Sequence, residues 1–198
     1  MVIARISEPI QPIDRGERYE DPLAQILETQ KLGMVSGGGS QLDEYSNIVF
    51  ADIEIMLANL DEALRVTRET LNSLGVPVGS ALHIERNGEI VSEPLGEAEG
   101  LIIYLDGVGL PDAVYAELDF QTLCSNLAEA FDGAGELRGL HQLNEETGLF
   151  VYGQSADEIY ARMKNLVKEN PILQNARLVF NRRDQNSEPK EIRLPMLA

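Results

Sequence analysis

Gln41-Leu42-Asp43-Glu44 in the first half of the chain returns as Gln142-Leu143-Asn144-Glu145 in the second, and its surroundings return with it. At the same offset Ile48-Val49-Phe50-Ala51 faces Leu149-Phe150-Val151-Tyr152. After a shortening of five residues, Asp61-Glu62 aligns with Asp157-Glu158, and Leu82-His83-Ile84 with Leu178-Val179-Phe180. Upstream, Leu23 and Leu27 match Leu123 and Leu127, and Val2-Ile3-Ala4 answers loosely to Leu101-Ile102-Ile103. Identity is slight. The order of elements and the apolar pattern nevertheless persist, which reads as an internal duplication.

Each half reads as strand, helix, strand, strand, helix, strand. In the first, a short strand over residues 2–6 leads through a Pro-bearing loop to a helix over 22–31, with Asp21 as N-cap, Pro22 at the first helical position and Gly33 as the stop. Strands over 35–42 and 48–57 flank a polar turn, Asp43 to Asn47. In the helix over 60–74, Leu60, Leu64, Thr67, Leu71 and Leu74 share one face. A strand over 81–85 closes the unit at the Asn87-Gly88 turn. The second half predicts strand 101–105, helix 120–131, a hairpin of strands 136–143 and 148–153, helix 156–168 capped by Ser155, and strand 177–181. The expected fold class is therefore α+β: tandem duplicated βαββαβ (ferredoxin-like) units with antiparallel sheets. The expected divisions are a first repeat over 1–92, a second over 98–183 and a polar C-terminal tail over 184–198, with residues 93–100 as linker. Strands such as Ile48 to Ala51 and Leu101 to Tyr104 are apolar on both sides. The sheet faces away from the helices are thus expected to be covered, by the other repeat or by a homodimer formed through these apolar faces.

Composition narrows the function classes. The 198 residues include 16 Lys+Arg against 33 Asp+Glu, a formal net charge of -17. That field opposes nucleic-acid backbones and anionic membranes, so neither is expected as a partner. No apolar run approaches the length of a membrane span, and the opening residues lack a signal-peptide pattern. One cysteine, Cys124, fits a reducing compartment, and the expected localisation is cytoplasmic. Acidity is also local: from residue 89 to residue 158, fifteen acidic side chains stand against one basic, Arg138. Such a stretch is either a solubilising surface or a face that attracts a basic partner.

The run Arg18-Tyr19-Glu20-Asp21-Pro22-Leu23, with Gly37-Gly38-Gly39-Ser40-Gln41-Leu42 after it, resembles a group of uncharacterised acidic bacterial proteins. Some of those act near toxins as immunity-like factors. The resemblance implies a bacterial origin and assigns no catalytic residue.

Candidate site residues are few. Gly37, Gly38 and Gly39 let a backbone come close to an anion, but a strand follows them rather than a helix, and no Gly-Lys-Ser/Thr ending is present. They read as an edge strand loosened by a bulge, or as backbone approached closely by another element or ligand. His141 shares a strand face with Leu137, Gly139 and Leu143 and reads as a packed histidine or, alternatively, as a base or ligand in a groove. Tyr104, Tyr115 and Tyr152 are packing residues or pocket walls, and Tyr152 joins Gly37, Gly38, Gly39 and His141 as a ligand-binding candidate. No metal site, cofactor or catalytic residue is expected. Cys124 lies among leucines in an acidic stretch, the surroundings of a structural thiol. The reading reached is a non-catalytic binding protein for a basic protein partner, an inhibitor or immunity-like factor. Its rivals are a small-molecule-binding protein or enzyme using a crevice between the repeats, and an oligomerisation scaffold.

Overall fold

The computed structural model describes residues 1–164, 166–184, 186–187 and 190–196. The chain divides into two compact units, Met1–Ala98 and Glu99–Ala198. Each holds one five-stranded sheet with every neighbouring pair antiparallel.

In the first unit the strands β1 (Val2–Ile6), β2 (Gly33–Leu42), β3 (Ile48–Leu57), β4 (Ser80–Arg86) and β5 (Glu89–Leu95) lie in the order β2-β3-β1-β4-β5. Strict alternation in β1 buries Val2, Ala4 and Ile6, which join Ala51, Ile53 and Ile55 of β3 and Leu82 and Ile84 of β4 on one face. Tyr19, Leu23 and Leu27 pack on that face, as do Ala63, Leu64, Val66 and Leu71 of α3 (Leu60–Ser73). Asp61 and Glu62 favour the start of α3, and Gly75, at φ 78°, ends it in the left-handed conformation that glycine adopts most easily.

The chain before the expected first helix is not a loop. Helix α1 (Pro12–Arg15), a π-helical turn (Gly16–Glu20) and α2 (Asp21–Thr29) follow one another without a break. Asp21 is consequently helical and not a cap, and Pro12 rather than Pro22 opens the helical run.

In the second unit β6 (Glu99–Asp106), β7 (Gly135–Gln142), β8 (Glu146–Gly153), β9 (Arg177–Asn181) and β10 (Glu191–Arg193) lie in the order β10-β9-β6-β8-β7. Strands β6 to β10 therefore take the places of β1 to β5. The bulges agree as well: the edge strand skips a register between Val35 and Gly37 in one unit and between Leu137 and Gly139 in the other. Helices α4 (Asp112–Ala116), α5 (Phe120–Phe131) and α6 (Ala156–Met163) complete this unit, with 3-10 turns at Leu166–Lys168 and Pro171–Leu173. Its core joins Leu101, Ile103, Leu149 and Val151 to Leu123, Leu127, Phe131, Ile159 and Met163.

Several boundaries differ from the sequence reading. The Asn87-Gly88 turn, with both residues at positive φ, is a hairpin into β5 and not the end of the unit. The expected linker over 93–100 consists of the ends of β5 and β6 around a tight turn. There Gly96 is obligatory, because a β-carbon on it would lie 1.9 Å from the Pro77 carbonyl oxygen. The expected tail contains β10, paired with β9 and anchored by buried Leu194. The helix expected to reach residue 168 ends at Met163.

On the sheet faces away from the helices, part of the cover comes from arginines of neighbouring strands. The Arg5 guanidinium lies 3.9 Å above the Phe50 ring and is bonded to Asp52, while Arg177 lies 4.0 Å above Tyr104 and is bonded to Glu146. Among the described residues, no helix is long and apolar enough to cross a membrane.

Candidate functional site

The glycine run lies on β2, at the edge of its sheet, beside a bulge. It is crowded from within its own unit. The wide π-helical turn sets Arg15 beside Glu20, with Nε and Oε1 2.5 Å apart. The nearly buried Arg15 then donates to the Gly39 carbonyl at 2.8 Å and to the Ser40 hydroxyl at 3.2 Å. A β-carbon on Gly38 would fall 2.8 Å from Glu20 Oε1 and 3.0 Å from an Arg15 nitrogen. Of the two structural readings of this run, bulge and close approach both hold. At Gly38 the approaching group is the Arg15–Glu20 ion pair, whereas beside Gly39 there is open space. Next to it, fully buried Tyr19 donates to fully buried Glu8 at 2.5 Å. This polar cluster escaped the sequence reading, because residues 8–20 carry Pro9, Pro12 and Gly16 and read as irregular.

His141 and Tyr152 belong to the other unit, so the five candidates do not form one constellation within a unit. His141 sits on β7 opposite Gly148, its ring 4.5 Å from that of Phe150. Phe150 and Tyr152 alternate with Val151 on β8, which puts His141, Phe150 and Tyr152 on one sheet face with Phe150 between the other two. Tyr152 is buried; its ring packs on Gly100, and the Arg138 guanidinium lies 5.6 Å from its centre. Both residues are thus engaged in packing. Tyr115 accepts a 2.8 Å hydrogen bond from the Leu110 amide, and Tyr104 lies under Arg177. Cys124 is part-buried, and burial pushes its thiol above the ordinary range. Among the described residues, no three His, Cys, Asp or Glu side chains converge as a metal site would need.

The acidic stretch separates into two populations. Some carboxylates are structural. Asp106 accepts from the amides of Val108 and Gly109 and from the Asn175 side chain; Glu99 accepts from the amides of Ala156 and Arg183; Asp157 is bonded to Arg182. Glu93 and Glu146 likewise pair with Arg68 and Arg177. A second group lies on α4, α5 and the segments around them. Six carboxylates and no Lys, Arg or His occur from residue 107 to residue 137. Of these, Asp112, Glu117, Asp119, Glu129 and Asp132 are exposed, and none of the ion pairs among the described residues involves them.

Between α4, the start of α5 and the Pro171–Leu173 turn is a cleft of about 300 Å³. Val114, Leu118, Leu123 and Ile172 give it an apolar lining, and Glu117, Asp119 and Glu169 stand at its margin. Asp119 caps α5, accepting from the Gln121 and Thr122 amides and the Thr122 hydroxyl, and these bonds hold its carboxyl below the usual range. The sequence showed the acidity but not the cleft, whose walls come from stretches about fifty residues apart. No protein-family model matches this chain, and no curated protein matches its sequence.

Proposed function

We propose that the chain is a non-catalytic binding protein for a basic protein partner, acting in the bacterial cytoplasm as an inhibitor or immunity-like factor. The observation that carries this reading is the exposed, cation-free carboxylate set on α4 and α5. A face of one sign steers an oppositely charged partner and sets the salt dependence of the complex. Three side chains of types suited to nucleophilic or acid–base chemistry are committed otherwise: the Cys124 thiol is raised by burial, His141 packs on Phe150, and Asp106 ties down a loop. We also read each unit as ferredoxin-like with one added edge strand, and the pair as a duplication. The matching strand order and the matching bulges support that reading.

The test begins with the protein purified from its host at low salt and any co-purifying protein identified by native mass spectrometry. The captured partner is then titrated by calorimetry. The expected partner is basic, its affinity falls steeply with added salt, and it falls about tenfold or more on the joint change Asp112→Lys, Glu129→Lys, Asp132→Lys. An affinity indifferent to salt and to these reversals would remove the reading.

A further inference from the structure

We propose that the cleft formed by α4, the start of α5 and the Pro171–Leu173 turn is the seat for an arginine side chain of the basic partner. The inference rests on the reading above and adds the place and the chemistry of the anchor. A charged face alone attracts; a cleft in it selects. The methylene stem of an arginine is apolar, and Val114, Leu118, Leu123 and Ile172 supply an apolar wall against which it can lie. The guanidinium is planar and presents several donors, so carboxylates on different elements can share it, and it is more weakly hydrated than an ammonium. Glu117 follows α4, Asp119 caps α5 and Glu169 precedes the turn, so three carboxylates reach the margin from three segments. Asp119 is held in place by its capping bonds. Glu117 and Glu169 are exposed and, among the described residues, take part in none of the ion pairs, although Lys168 precedes Glu169 in the chain. Side chains that enter pockets at the centre of an interface carry a large share of binding energy, and arginine is prominent among them.

The probe is a capped peptide of alternating arginine and alanine, titrated into the full chain with its methyl groups labelled for NMR. Saturable shifts are expected at the Val114, Leu118, Leu123 and Ile172 methyls, and a peptide with citrulline in place of arginine should give none. Ala113→Phe adds a ring to the exposed cleft wall without changing charge and should weaken the arginine peptide at least fivefold. The pair Glu117→Gln, Glu169→Gln, at exposed positions that the fold does not need, should weaken it similarly. If Ala113→Phe and the glutamine pair both bind as the parent does, with shifts confined to methyls outside the cleft, the cleft is not the seat. The acidic-face reading would then survive, since the Asp112, Glu129 and Asp132 reversals test it separately. Equal binding of the citrulline peptide, or no binding of the arginine peptide, also overturns the proposal.

Discussion

A β-carbon on Gly38 would meet the Asp52 carbonyl oxygen at 2.7 Å and the Glu20 carboxylate at 2.8 Å, whereas one on Gly39 would meet nothing within 4 Å. Adjacent glycines of one run therefore do different work. Gly38→Ala must move either the β3 backbone or the Arg15–Glu20 pair and is expected to cost about 1–3 kcal/mol in urea denaturation. Gly39→Ala, in an extended strand with open space beside it, is expected to fall within about 1 kcal/mol of the parent. Equal losses at both positions would mean that crowding is not what reserves Gly38. Reading the run as backbone approached closely was open to sequence reasoning. Naming the approaching group was not, because Arg15 lies 24 residues before Gly39 in a stretch whose prolines and glycine look irregular.

The loop between β6 and α4 shows a carboxylate organising an element. Burial alone would raise the Asp106 carboxyl, yet the amides of Val108 and Gly109 and the Asn175 side chain outweigh it and hold the group below the usual carboxylate range. A carboxyl with a lowered native pKa adds stability above its unfolded value of about 3.9, and that contribution disappears as pH falls through the native value. Asp106→Asn should therefore be less stable than the parent at neutral pH, with the gap closing below about pH 4 when unfolding is followed from about pH 7 to about pH 2. A gap that stays constant over that range would count against a role for the ionised carboxylate. At this scale the sequence was legible where periodicity was strong, as in β1, β3 and α3. It misled where turns permit two continuations. Asn87-Gly88 suits the end of a strand and the apex of a hairpin equally well, and only the pairing of Arg86 with Glu89 selects the hairpin. Strand β10 was hidden by its brevity, three residues in a polar stretch that pair with β9. The cleft was out of reach because its lining is completed by Glu169 and Asn170, far along the chain from α4.

For the whole molecule, a net charge of -17 is spread over two separately cored units. Self-repulsion of that size opposes compactness, and salt screens it over a Debye length of about 10 Å at 0.1 M. The melting temperature is expected to rise by a few degrees as sodium chloride goes from about 10 mM to about 150 mM, the opposite of salt's expected effect on the complex with a basic partner. A melting temperature that falls over this range would show that surface ion pairs such as Arg65–Glu69 outweigh the repulsion. The cation-free stretch has one more consequence. No lysine or arginine lies between Arg86 and Arg138, so trypsin leaves β5, β6, α4 and α5 in a single fragment, and amine-reactive cross-linkers find no handle on α4 or α5 themselves. A zero-length bond trapping a partner on these helices can join its lysines to these carboxylates, and carbodiimide coupling followed by cleavage at glutamate would show where.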